Sequence, residues 1–406
     1  MRAPHLHDTL RGFCLGAFAV FSRDLESGSD LPFAFEEHGT YGRPTLYEYR
    51  PLVRGFVEAR ADRLFERRDV RDAVDDLLRE PAARIYAHAC EGELRDEARG
   101  LYRSVLVPLL VRTAEGCGGF DWDDSAFNRA YEELEASLYG EGHAYGAVAP
   151  LVGVSVGTQI ELGDGIRVRI AASGELAAMW PEAAGLLPRD FGRQPDRLCV
   201  LELERSVEKG ADEAPDAPGE LADAVTAIRL ATAAPVAAGP VLFERLDWRP
   251  YGIRPVLPIA APPPPGEPTR LDPFRASVAA NLRPRLGVAD DDAKLGDALD
   301  RWELSLFQDA PFRDDQLRHA LDSALGEGDG VWAAGMRAAA LLGATPEERA
   351  DLVERFRTPT PDLLRRLLTE VLLHGERRRL VRELDETLLA LRARPASVAE
   401  LRARAS

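Results

Sequence analysis

Four consecutive segments decide the fold: ALDRWELSLFQ (298–308), QLRHALDSALGE (316–327), WAAGMRAAALLG (332–343) and DLLRRLLTEVLLHGERRRLVRELDETLLALRAR (362–394). Each repeats its apolar residues at helical spacing. Trp302, Leu304, Leu306 and Phe307 form one set, and Leu317, Leu321 and Leu325 the next. The alanines of the third segment allow helices to approach closely. In the fourth, Leu364, Leu367, Leu368, Val371 and Leu372 follow Pro361, a residue suited to a first helical turn. His374–Gly375 then reads as a helix end, where glycine accepts positive φ and an imidazole meets the negative end of the dipole. Leu380, Leu384, Leu388 and Leu391 carry a last helix. The region is expected to be a bundle built on apolar stripes.

Working outward, 406 residues exceed one ordinary core, so roughly two or three domains are expected. The formal charge of -17 disfavours a chain whose main task is gripping phosphate backbones. Lysine occurs only at Lys209 and Lys294, neither in a phosphate-loop or Schiff-base context. Cys14, Cys90, Cys117 and Cys199 are scattered without a CxxC pair, which predicts a reducing, cytoplasmic setting and no structural zinc. His88 and Cys90 form an HxC pair with no second ligand pair after it, so no metal and no cofactor are expected. No apolar run reaches the ~20 residues of a membrane helix. Phe13–Phe21 is expected to be a buried first helix rather than a signal core, because Asp8 stands where cationic residues would be needed.

The expected plan is a helical region over 1–148, a small α+β module over 149–257, a proline-rich linker over 258–271 and a helical bundle over 272–406. The fold class is α+β, mainly α. Within the first region, the stretch SGSDLPFAFEEHGTYGRPTLYEYRP reads as a loop, and Leu52–Arg68 as a helix. Tyr47 and Arg50, in the cluster YEYRPLVRGF, are binding candidates. Ordered packing of the aromatics at a helix entry is the plainer reading of that cluster. In the module, IELGDGIRVRI predicts a hairpin around Asp164, with LCVLELERSV and PVLFERLDW as further strands and Leu221–Ala233 as a helix. Its glycines match no phosphate-binding motif. PIAAPPPPGEPT predicts a stiff extended spacer.

The order LADAVTAIRLATAAPVAAGPVLFE, ALDRWELSL, QLRHALDSALGE, MRAAALLG, ERADLVERFR and LLTEVLLHG resembles the HEPN-domain proteins of the ApeA type. The resemblance runs from about Pro150 to the C-terminus. It implies a helical dimer that, when active, cuts RNA at an Arg-x4-6-His motif, as in toxin or antiviral systems. His374 and Gly375 match that motif's end. The arginine would have to stand at 367–369, where the chain has Leu367, Leu368 and Thr369. Arg366 is one residue too far.

The spacing matters because metal-free cleavage needs an acid or base near neutrality, which histidine supplies, and a fixed cation for phosphate, which arginine supplies. Arg366 and His374 are the catalytic candidates, about two turns apart on a similar helix face. Arg377, Arg378 and Arg379 are candidates for binding or for completing a composite site across a dimer. The expectation is a non-catalytic binding or regulatory protein with a degenerate HEPN-like bundle. It would have a protein partner or a second copy, with RNA as a possible ligand and no membrane. The alternatives are a HEPN-type ribonuclease and a small-molecule enzyme using the Tyr47–Arg50 cluster.

Overall fold

A computed structural model describes residues 3–38, 46–91, 96–140, 142–171, 199–208, 215–239, 241–246, 249–255 and 268–390. The fold is mainly helical with a small antiparallel sheet, as the period of the sequence requires.

The first region is a helical unit around its own core. Helix α1 (Pro4–Glu26) buries Leu10, Phe13, Cys14, Ala17 and Phe21 on one helical face, and Leu6 and Phe18 with them. It packs on α3 (Arg68–Arg79), α6 (Val107–Cys117) and their neighbours α4 (Pro81–Glu91) and α7 (Asp124–Tyr139). The long run between 97 and 117 is not uniform. Helix α5 (Glu97–Leu101) passes through a π turn, Tyr102–Leu106, before α6. Pro108 explains the widening: it has no N–H to donate, and its ring clashes with the Ser104 carbonyl four residues back. The Tyr102 hydroxyl anchors the turn by donating to the Ala61 carbonyl at 2.5 Å.

Two local expectations change here. The stretch read as a loop contains a hairpin, β1 (Phe33–His38) and β2 (Leu46–Pro51), in register at Phe35↔Tyr49. Its aromatics alternate with period two, which the turn formers between the strands obscured. The helix expected over 52–68 breaks into α2 (Val53–Glu58) and one 3-10 turn, Ala61–Arg63.

Strand β3 (Gly142–Val152) follows α7 directly, so residues 142–148 belong to the sheet rather than to the helical region. Its neighbours are β5 (Ile160–Gly163), β6 (Ile166–Ile170), β7 (Cys199–Glu208), β9 (Val241–Leu246) and β10 (Arg249–Pro255). The order is β10-β9-β3-β7-β6-β5, with β8 (Ala237–Ala238) also beside β3. The ladders within this sheet are antiparallel. The Gly-Asp-Gly hairpin forms as the sequence requires, with Asp164 at φ 46°. Gly165 is needed there, since an added Cβ would meet the Glu204 carbonyl oxygen at 2.3 Å.

Helix α8 (Ala217–Thr232) covers the face that carries Tyr145, Ala147, Leu201 and Leu203. The same apolar cluster continues without a break into the C-terminal bundle, from Leu271 through Trp302 to Leu384. The bundle comprises α9 (Pro273–Leu282), α10 (Gly287–Asp291), α11 (Ala293–Ser305), α12 (Phe312–Leu325), α13 (Gly330–Leu342), α14 (Pro346–Arg355), α15 (Pro361–His374) and α16 (Arg377–Leu388). Sheet and bundle are also stitched by a short parallel pair, β4 (Val154–Ser155) with β11 (Thr269–Arg270). Most of the proline-rich stretch, 256–267, lies outside the described residues, but its end at 269–271 is held in this seam.

The bundle helices begin where side chains satisfy their free N–H groups. Asp272, Asp292 and Thr360 cap α9, α11 and α15, and Thr345 with Glu348 forms a capping box on α14. At the centre, Trp302 is fully buried and its indole donates to the Pro361 carbonyl at 2.9 Å. That bond ties the start of α15, and hence the line of the helix carrying His374, to α11.

Candidate functional site

Helix α15 turns Leu363, Leu364, Leu367, Leu368, Val371 and Leu372 into the core and ends on His374. Gly375 closes it at φ 80°, as the sequence requires. After Glu376 the chain re-enters a helix, α16. A groove of about 440 Å³ lies at this corner, lined by His374, Gly375, Glu376, Arg379, Leu380 and Glu383. His374 is half-buried, and its Nε2 is sealed from solvent with no hydrogen-bond partner among the described residues.

The candidate arginines have separate fates. Arg377 does not face the groove. Its side chain is 1% exposed; Nε lies 2.8 Å from Asp292 and Nη1 2.5 Å from Glu327. It also donates to the Ala324 carbonyl. Burial pushes the Asp292 and Glu327 carboxyls up, but hydrogen bonds and charge, from Arg377 foremost and then from the Leu295 and Lys294 backbone at Asp292 and the Lys294 ammonium at Glu327, hold both below their ordinary values. Arg379 lines the groove and pairs with Glu383 at 3.1 Å. Arg378 is exposed and has no partner among the described residues.

Arg366 is exposed on α15, while its neighbour Arg365 binds Asp362 and the Leu230 carbonyl. Eight helical residues separate Arg366 from His374 by about 12 Å along the axis and about 80° around it. The two therefore do not share a face. Tyr47 and Arg50 sit in β2, opposite Glu37 and Ala34, and their side chains lie outside the described residues. So do the side chains of His88 and Cys90. Among the described residues, no three His, Cys, Asp or Glu converge to hold a metal. No described helix is long and apolar enough to cross a membrane.

Sequence reading passed over a second buried arginine. Arg337 donates to Asp385 at 2.6 Å, to Asp329 at 2.6 Å and to the carbonyls of Leu325 and Gly326. A lone charge within WAAGMRAAALLG was the available signal, because a charge among small apolar residues that pack closely calls for a buried partner. Arg337 and Arg377 thus grip the same turn, 324–330, from two helices.

Comparisons with protein-family models, curated proteins and solved structures find no match.

Proposed function

We propose that this chain is a non-catalytic binding or regulatory protein whose C-terminal bundle is HEPN-like in pattern and lacks the pattern's cation. The observation that carries this reading is the commitment of Arg377 to Asp292 and Glu327 inside the bundle. A phosphate at His374 would meet Glu376 and Glu383, with one lining arginine already paired. With Arg379 and Glu383 neutralising each other, Glu376 leaves the lining net negative, which disfavours a polyanion. The groove is better suited to a protein partner or a second copy of the chain than to RNA.

Titration with a single-stranded RNA oligonucleotide tests this, followed through the His374 imidazole resonance and assigned by its loss in His374→Ala. No saturable shift is expected at physiological salt. A saturable His374 shift would favour the ribonuclease reading, with the free Arg378 as its cation.

A further inference from the structure

We propose that α16 is a hinged cover on the His374 groove, pivoting at Gly375 and latched by ion pairs near both of its ends. Only Gly375 and Glu376 separate α15 from α16. A Cβ added at Gly375 would meet nothing within 4 Å, so the pivot is uncrowded. Beyond it, α16 contributes Arg379, Leu380 and Glu383 to the groove wall. Moving α16 removes that wall.

The latches converge on one turn. At the first residue of α16, Arg377 holds Glu327 and the Ala324 carbonyl, together with Asp292. Near the other end, Asp385 is held by Arg337, which grips Leu325, Gly326 and Asp329 of the same turn. Between them, α16 buries only Leu380, Val381 and Leu384 as apolar anchors, against six leucine and valine side chains on α15. Ion pairs regain hydration when they separate, so they resist undocking less than the same area of apolar contact. Elements held in this way open below the global unfolding free energy. The closed state also leaves His374 Nε2 buried and, among the described residues, unpartnered, a cost relieved when water reaches it. Opening of α16 does not depend on whether the groove binds a partner.

Hydrogen exchange by mass spectrometry on the full chain, run beside diethyl pyrocarbonate labelling of His374, tests the cover. Peptides from 377–388 are expected to exchange at least about tenfold faster than the central peptides of α13 and α15. Arg337→Met, which lies outside the groove, should speed α16 exchange and His374 labelling in parallel while α15 protection holds. Asp385→Asn serves if that variant does not fold. Equal exchange of α16 and α15 in the wild type overturns the proposal. So does His374 labelling that stays constant while α16 opens faster.

Discussion

Arg229 Nη1 lies 2.5 Å from Glu303 Oε2, joining the helix that covers the sheet to the centre of the C-terminal bundle. Thr226 donates to the other carboxylate oxygen, and Arg229 Nε donates to the Val236 carbonyl. The Arg229 guanidinium also stacks on Phe307, 5.2 Å from the ring centroid. Burial pushes the Glu303 carboxyl up, and Arg229 offsets this only in part. A raised carboxyl favours the folded state at low pH, so this group's contribution falls as pH rises through its folded value.

Glu303→Leu alone should therefore destabilise by about 3–5 kcal/mol, since it strands a buried guanidinium. Glu303→Leu with Arg229→Met should recover most of that loss. Urea unfolding of the two singles and the double closes the cycle. An additive double mutant would contradict coupling across the interface.

The continuous core predicts how the chain melts. Leu271 is buried between sheet and bundle, whereas the 1–140 region packs around a separate cluster. Leu271→Ala should cost about 2–5 kcal/mol. It should lower the transition of sheet and bundle together and leave the N-terminal transition in place. Calorimetry with site-resolved hydrogen exchange reads this. Loss of protection in the sheet but not the bundle would refute a shared core.

Arg377 makes a prediction with a definite sign. Asp292 and Glu327 sit below their ordinary values of 3.8 and 4.5 because Arg377 foremost, helped by backbone N–H groups at Asp292 and by Lys294 at Glu327, outweighs their burial. Depressed carboxyls contribute stability that is present above the unfolded values and lost as pH falls through the folded ones. Arg377→Met lacks that contribution at neutral pH. Its stability should therefore change less than the wild type's between about pH 5 and pH 2. Parallel acid-denaturation profiles would sink the idea.

Trp302 tests the placement of α15. Trp302→Phe keeps an aromatic ring but removes the indole donor, leaving the Pro361 carbonyl with its place in the helical ladder alone. A loss of about 0.5–1.5 kcal/mol is expected. Faster exchange at the start of α15 should accompany it.

The bundle was legible because local signals mark its helices, such as the Leu364–Leu372 stripe and the Thr345/Glu348 capping pair. The Gly163–Gly165 turn was legible for the same reason. Strand β10 was not, since Pro250, Gly252 and Pro255 suit no ordinary strand and rest on pairing with β9. The joining of sheet and bundle was hidden too, because the proline run is a local feature and the shared core is not. At the candidate site, sequence placed His374 at a helix end and identified the arginines. It had no means of telling that Arg377 turns inward to Asp292 and Glu327, residues 85 and 50 positions away.

The most direct test of the account is incubation of total cellular RNA with purified protein in the presence of a metal chelator, wild type beside His374→Ala. Both folded proteins are expected to leave the RNA intact. Cleavage by the wild type and not by His374→Ala would contradict the account and establish a ribonuclease that recruits its cation from outside the expected spacing.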